Sequence, residues 1–153
     1  MNKSIKERLM ILNKKDLTIE FNSEILWLQR YFKSTLKKMI ADRREELRYP
    51  FKENVDKLGI KSNKQATPRA LQIIIAEEED PRLQMMLTWE KVICDYVNAT
   101  DESLLRVIKA VFVTKSMNIS GAGRRYMYYG KTTTYKMIYE WLQGLSIAYF
   151  KAK

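Results

Sequence analysis

Apolar residues recur along this chain at intervals of three and four, the spacing that places side chains on one face of an α-helix. Ile5, Leu9 and Leu12 mark a short amphipathic helix over residues 3–13, with Lys and Arg between them. Asp16 to Phe21 reads as a connection. Asn22 or Ser23 is a suitable N-cap, with Glu24 in the first turn, for one long helix that continues to about Arg48 and stops before Pro50. Its stripe is Ile25, Leu28, Phe32, Leu36 and Met39. Leu26, Trp27 and Tyr31 fall off that stripe. Either the helix is packed on two sides, or Trp27 and Tyr31 belong to a contact surface for another chain.

Residues 49–68 hold two prolines, a glycine and scattered Lys, Asn and Ser, and form the best linker in the chain. It divides a helical region, 1–48, from a C-terminal helical domain, 69–153. Thr67-Pro68 opens a short helix to about Glu78, with Leu71, Ile74 and Ile75 inward. Asp80-Pro81 starts the next, to about Asn98, burying Leu83, Met86, Leu87, Val92, Ile93 and Val97. Thr100 or Asp101 caps a further helix to about Lys115, with Leu104, Leu105, Ile108, Val111 and Phe112 inward. No alternating strand pattern runs longer than a few residues. The fold class is all-α.

The stretch 119–145, ISGAGRRYMYYGKTTTYKMIYEWLQGL, reads as helix, tight turn, helix. Counting about 100° per residue, Ile138, Trp141 and Leu145 fall within about 40° of Thr134, while Thr132, Lys136, Tyr139 and Gln143 fall opposite. Trp141 is therefore a core residue. Ile119, Gly123 and Tyr126 line the inner side of the preceding shorter helix, and Gly121, Ala122 and Gly123 allow close helix approach. Gly130 stands at the N-cap. Such a pair occurs in many bundles that never touch DNA. It also fits a helix-turn-helix, whose second helix enters the major groove by its first residues. Those residues are Lys131, Thr132, Thr133, Tyr135 and Lys136, with Arg124 and Arg125 placed for the phosphates.

Charge favours the second reading. The chain of 153 residues carries a net charge of +10, which calls for a polyanionic partner. From Leu104 to Lys153 there are nine Lys or Arg and one acidic residue, Glu140. An ordinary solvated surface mixes the signs; a one-signed face is the footprint of a phosphate binder. With no histidine and one cysteine, Cys94, neither a His-based catalytic set nor a disulfide or zinc-finger framework can be built. The acidic run Glu77–Asp80 reads as a helix end and cap, not a metal site. The chain is expected to be no enzyme, to need no metal or cofactor, and to have no membrane span or secretory signal. It is expected to stay in the cytoplasm of whichever cell makes it.

Two regions also carry a family resemblance. One is REELRYPFKEN at 44–54 with KSNKQATPRALQII at 61–74 and EDPRLQMM at 79–86; the other is LLRVIKAVFVTKSMNISGAGRRYMYYGKTTTYKMIYEWL at 104–142. Together they resemble the small late-transcription activators of phages of Gram-positive hosts, the RinA-, ArpU- and Alt-like regulators. The C-terminal part also resembles the sigma-factor region that reads the −35 promoter element. The resemblance places Ala122 and Gly123 at the small positions, Tyr126 at the apolar position of the first helix, and Thr133, Thr134 and Tyr135 where the recognition helix begins. Gly130 stands where the usual capping serine would be, and RRYMYYG is bulkier than the usual leucine-glycine turn.

The resemblance implies a sequence-specific double-stranded DNA-binding activator of late genes, with host RNA polymerase and a second copy of the chain as further partners. A phage small terminase subunit combines the same elements in a packaging role. A helical protein-interaction module without nucleic-acid binding is the third reading.

Overall fold

A computed structural model describes residues 14–58 and 68–153. Among them are eight α-helices and no strand, so the chain is all-α. They are α1 (Lys14–Glu20), α2 (Asn22–Phe32), α3 (Thr35–Leu58), α4 (Arg69–Glu79), α5 (Pro81–Asn98), α6 (Glu102–Ile108), α7 (Ile119–Met127) and α8 (Lys131–Ala152). A π-helical turn, Lys109–Val113, extends α6. The helix expected over 3–13 lies outside the described residues, as do 59–67 of the expected linker.

Three expected boundaries are corrected. Asp16 to Phe21 is mostly the helix α1, whose Leu17 is fully buried. The long helix from residue 22 is two helices, broken at Ser34 (φ 62°). The Lys33 and Ser34 amides close α2 on the carbonyls of Gln29 and Tyr31. The break lets Ile25 and Leu28 of α2 and Leu36 and Ile40 of α3 all enter the core, which one straight stripe could not do. Finally, α3 continues through Pro50 to Leu58. Proline lacks its own amide hydrogen and crowds the carbonyl four residues earlier, yet the remaining hydrogen bonds can carry a helix past it.

The core draws on both sides of the 49–68 segment, from Leu17, Leu28 and Leu36 to Leu83, Ile93, Phe112, Ile138 and Leu145. Helices α5 and α8 pack together at its centre; α5 also meets α2, α3 and α4, while α8 meets α2, α6 and α7. Asp80 joins two layers. Its carboxylate accepts from the Leu83 amide at 2.8 Å, capping α5, and takes both arms of Arg43 from α3 at 2.6 and 3.0 Å. The Arg43 guanidinium, then the Leu83 amide, holds this carboxyl below its usual range despite an opposing effect of burial. Asp101 caps α6 by accepting from the Ser103 and Leu104 amides.

Trp27 is corrected from interface to core. Its indole lies near-parallel to that of Trp89, 5.9 Å between centroids, and Trp89 stacks on Tyr149 at 3.9 Å. The stack ties α2, α5 and α8 together, and the Arg30 guanidinium sits 4.7 Å from the Trp27 ring centroid. Tyr31 is half-buried, edge-on to Phe32, in a groove shared with Leu36 and Cys94. Leu71, Ile74 and Ile75, expected inward, lie on the solvent side of α4. Periodicity identifies a stripe but not which side of it the rest of the chain covers.

Candidate nucleic-acid interface

Helices α7 and α8 form the two-helix unit expected near residues 119–145. Asn118 caps α7 by accepting from the Gly121 amide at 2.7 Å. The end of α7 is closed by the Tyr129 amide on the Gly123 carbonyl, with Tyr128 in the left-handed region at φ 60°, a common way to stop a helix. The connection is Tyr128, Tyr129 and Gly130, and Gly130 opens α8 with extended backbone and no side-chain cap.

Two residues lock α8 against α7. Thr134 is wholly buried and its hydroxyl donates to the Gly130 carbonyl at 2.8 Å. Opposite it stands Gly123, where a Cβ would overlap the Thr134 hydroxyl and lie 2.8 Å from its Cβ. The glycine is therefore required by the close approach of the two helices. Further along α8, Ile138, Trp141, Leu142 and Leu145 are buried. The Trp141 indole N–H donates to the Thr100 hydroxyl, and Tyr96 donates its O–H to the Trp141 carbonyl at 2.7 Å. Trp141 is core, as its position on the stripe requires.

Of the residues expected at a DNA surface, Arg124, Arg125, Lys131, Thr132, Thr133 and Lys136 are exposed. Tyr135 is the exception and is corrected: it is 3% exposed. Its position, one residue past the buried Thr134, is covered by helix α1, which sequence spacing could not place. On α1, the Glu20 carboxylate accepts from the Tyr139 hydroxyl at 2.7 Å, and Phe21, just after it, meets the Tyr139 ring edge-on at 5.2 Å. Burial, followed by the charges of Asp16 and Glu20, pushes the Tyr135 phenol up to about 12.

The sign of that shift sets a pH dependence. The folded state holds the Tyr135 proton more tightly than an unfolded chain, whose tyrosine titrates near 10. The associated stability is complete below pH 10 and is lost as pH rises through about 12. Tyr135→Phe, measured by urea unfolding at a series of alkaline pH values, is expected to flatten this loss. An unchanged slope would show that the phenol is solvated.

Spacing arguments also missed two cations. Lys14, from α1, lines a shallow concavity with Asn118, Ser120 and Lys131 at the start of α7. Burial, then repulsion from Lys115, holds the Lys14 amine below its ordinary value. Lys115 is exposed and sits at φ 55°, in the turn before α7. The only available signal was the run of lysines near residue 14, which says nothing about where α1 packs.

The described residues contain no group of His, Cys, Asp and Glu side chains able to hold a metal ion. No helix among them is long and apolar enough to cross a membrane. The fold and this unit define an all-α protein with a basic two-helix element at its C-terminal end. The chain belongs to the DUF722 family, described as a protein of unknown function, whose model matches residues 25–142. No curated protein and no solved structure matches it.

Proposed function

We propose that this chain is a sequence-specific double-stranded DNA-binding protein that activates transcription, with α7 and α8 acting as a helix-turn-helix. The observation that carries the reading is the first turn and a half of α8. Lys131, Thr132, Thr133 and Lys136 all face solvent there, while Thr134 and Tyr135 anchor the same turns to the protein. A rigid helix end that offers cations and hydroxyls outward is the geometry of a major-groove reader. Arg124 and Arg125, exposed at the end of α7, flank the turn where phosphates would fix the docking register. Lys14 and Lys115 extend the positive surface around the start of α7.

The direction of regulation, the phage late genes as target and host RNA polymerase as partner rest on the resemblance to late-transcription activators. The same resemblance places the protein in the cytoplasm of a bacterial host. Fluorescence anisotropy of labelled duplexes tests the DNA-binding core of the proposal. Random-sequence DNA should bind at low salt with affinity that falls steeply as salt is added. Duplexes enriched from a random library should bind at least about a thousandfold more tightly than random ones. Absence of binding to any duplex at low salt would end the proposal.

A further inference from the structure

The turn between α7 and α8 has left-handed backbone at residue 128, but it has no need of a tyrosine there. Left-handed φ crowds a Cβ against the following carbonyl oxygen, and helices that stop this way most often use glycine at the position. Tyr128 occupies it at φ 60°. It gains almost no packing in return: at 90% it is the most exposed of the large apolar residues described. Tyr129 beside it is 46% exposed. The next residue, Gly130, has φ −75°, which suits any residue, and a Cβ there would meet nothing within 4 Å. A glycine stands where the fold could hold a side chain, and a bare ring stands where the fold would favour glycine. Backbone held in such a conformation around an idle side chain points to a use outside the fold.

The surroundings narrow the partner. Arg124 and Arg125 precede the two tyrosines, Lys131 follows Gly130, and all three cations are exposed. No Asp or Glu stands between Leu104 and Tyr139. A partner that meets this turn must be anionic and must present flat faces that two rings can cover. Nucleic acid is both, but an intact duplex hides its base faces in the stack and shows only their edges in the grooves. Bases outside a duplex expose their faces, and aromatic side chains on a cationic surface bind them with little regard to sequence. We infer that Tyr128 and Tyr129 stack on unpaired bases, so that this chain holds a single-stranded stretch adjoining the duplex met by α8. The inference rests on the DNA-binding reading of α7 and α8 and adds to it a second kind of contact. Base edges would be read by the start of α8, and base faces would be caught by the turn before it.

Fluorescence anisotropy of the full chain with two labelled probes tests the inference: a duplex, and the same duplex with a central bubble of unpaired thymines. The bubble should bind at least about tenfold more tightly, the return from stacking one or two bases. 2-Aminopurine placed in the bubble should lose fluorescence on binding, as a base does when a ring stacks on it. Tyr128→Gly suits the backbone and should keep wild-type circular dichroism and stability. It should nevertheless lose much of the preference for the bubble while duplex affinity stays unchanged. The double variant Tyr128→Gly, Tyr129→Ser should lose the preference altogether. Tyr128→Phe should keep it, because the ring and not the hydroxyl makes the contact. The inference is overturned if the wild-type chain binds the bubble no better than the duplex, if the double variant keeps the preference, or if Tyr128→Phe loses it. Binding of polyglutamate in preference to either DNA would assign the rings to an acidic protein and overturn it too. A chain that binds the duplex but ignores the bubble loses this inference alone; one that binds neither DNA loses the DNA-binding reading with it.

Discussion

Trp89→Ala is expected to lower the unfolding free energy by about 3–5 kcal/mol, the range for removing a buried large aromatic from a core. Trp89 is nearly inaccessible and lies between two rings. It stacks on Tyr149 of α8 at 3.9 Å and faces Trp27 of α2 at 5.9 Å. Its loss removes area burial at the place where α2, α5 and α8 meet. It also removes two aromatic contacts, each contributing about 0.5–1.5 kcal/mol beyond burial. The cavity cannot collapse easily, because its walls belong to three separate helices. Trp89→Phe keeps one ring in the stack and should cost clearly less. Urea unfolding followed by circular dichroism reads both. A loss below about 1 kcal/mol for the alanine variant, well under the usual core range, would mean that the stack is peripheral to stability.

Under the proposed DNA-binding function, the exposed residues of α7 and α8 should fail in two distinct ways. Lys136 and Thr132 are solvent-facing and one turn apart at the start of α8. Lysine can donate to guanine O6 and N7, and threonine can bond a base edge or touch a thymine methyl. Lys136→Ala or Thr132→Ala should therefore lose about 1–3 kcal/mol on an enriched site and much less on random DNA. Arg125 is exposed near the end of α7, its guanidinium 5.8 Å from the centroid of the Tyr126 ring. Arg125→Ala should weaken both duplexes together and reduce the salt slope by roughly one unit. Tyr135→Phe should leave both affinities unchanged, since the ring is buried under α1. Anisotropy on enriched and scrambled duplexes across a salt series separates these outcomes. If Lys136→Ala and Arg125→Ala both bind as the parent does, this element does not meet DNA.

Much of the candidate site was legible in the chain. Thr134, Ile138, Trp141 and Leu145 were identified as one buried face of α8 from spacing alone, and Gly123 as a place where helices meet. Local chemistry sufficed because a helix with one apolar stripe has one way to face a core. Asp80 as the cap of α5 was legible for the same reason: a carboxylate before proline satisfies amides three residues on, whatever surrounds it.

The misreadings share a different cause. Tyr135, Leu71, Ile74 and Ile75 were placed on the wrong side and Trp27 was left open between core and contact surface, and each outcome depends on how other helices pack against these residues. Trp27 is buried because Trp89 comes to it from α5. Tyr135 is buried because α1 reaches the start of α8 across more than a hundred residues, as the Glu20–Tyr139 hydrogen bond records. The break at Ser34 has no strong local signal; it follows from two helices needing the same core from different directions.

By itself, then, the sequence determined the helical class, most helix starts, the stripe of α8 and the one-signed charge of the C-terminal third. All of these are set by residues within a few turns of one another. Tertiary structure alone decided which side of α4 meets solvent, that α1 shields Tyr135 and brings Lys14 beside Lys131, and that three aromatic rings join α2, α5 and α8. Those outcomes depend on which surfaces remain to be covered once every helix competes for one core. That competition is between distant segments, and no local pattern encodes its result.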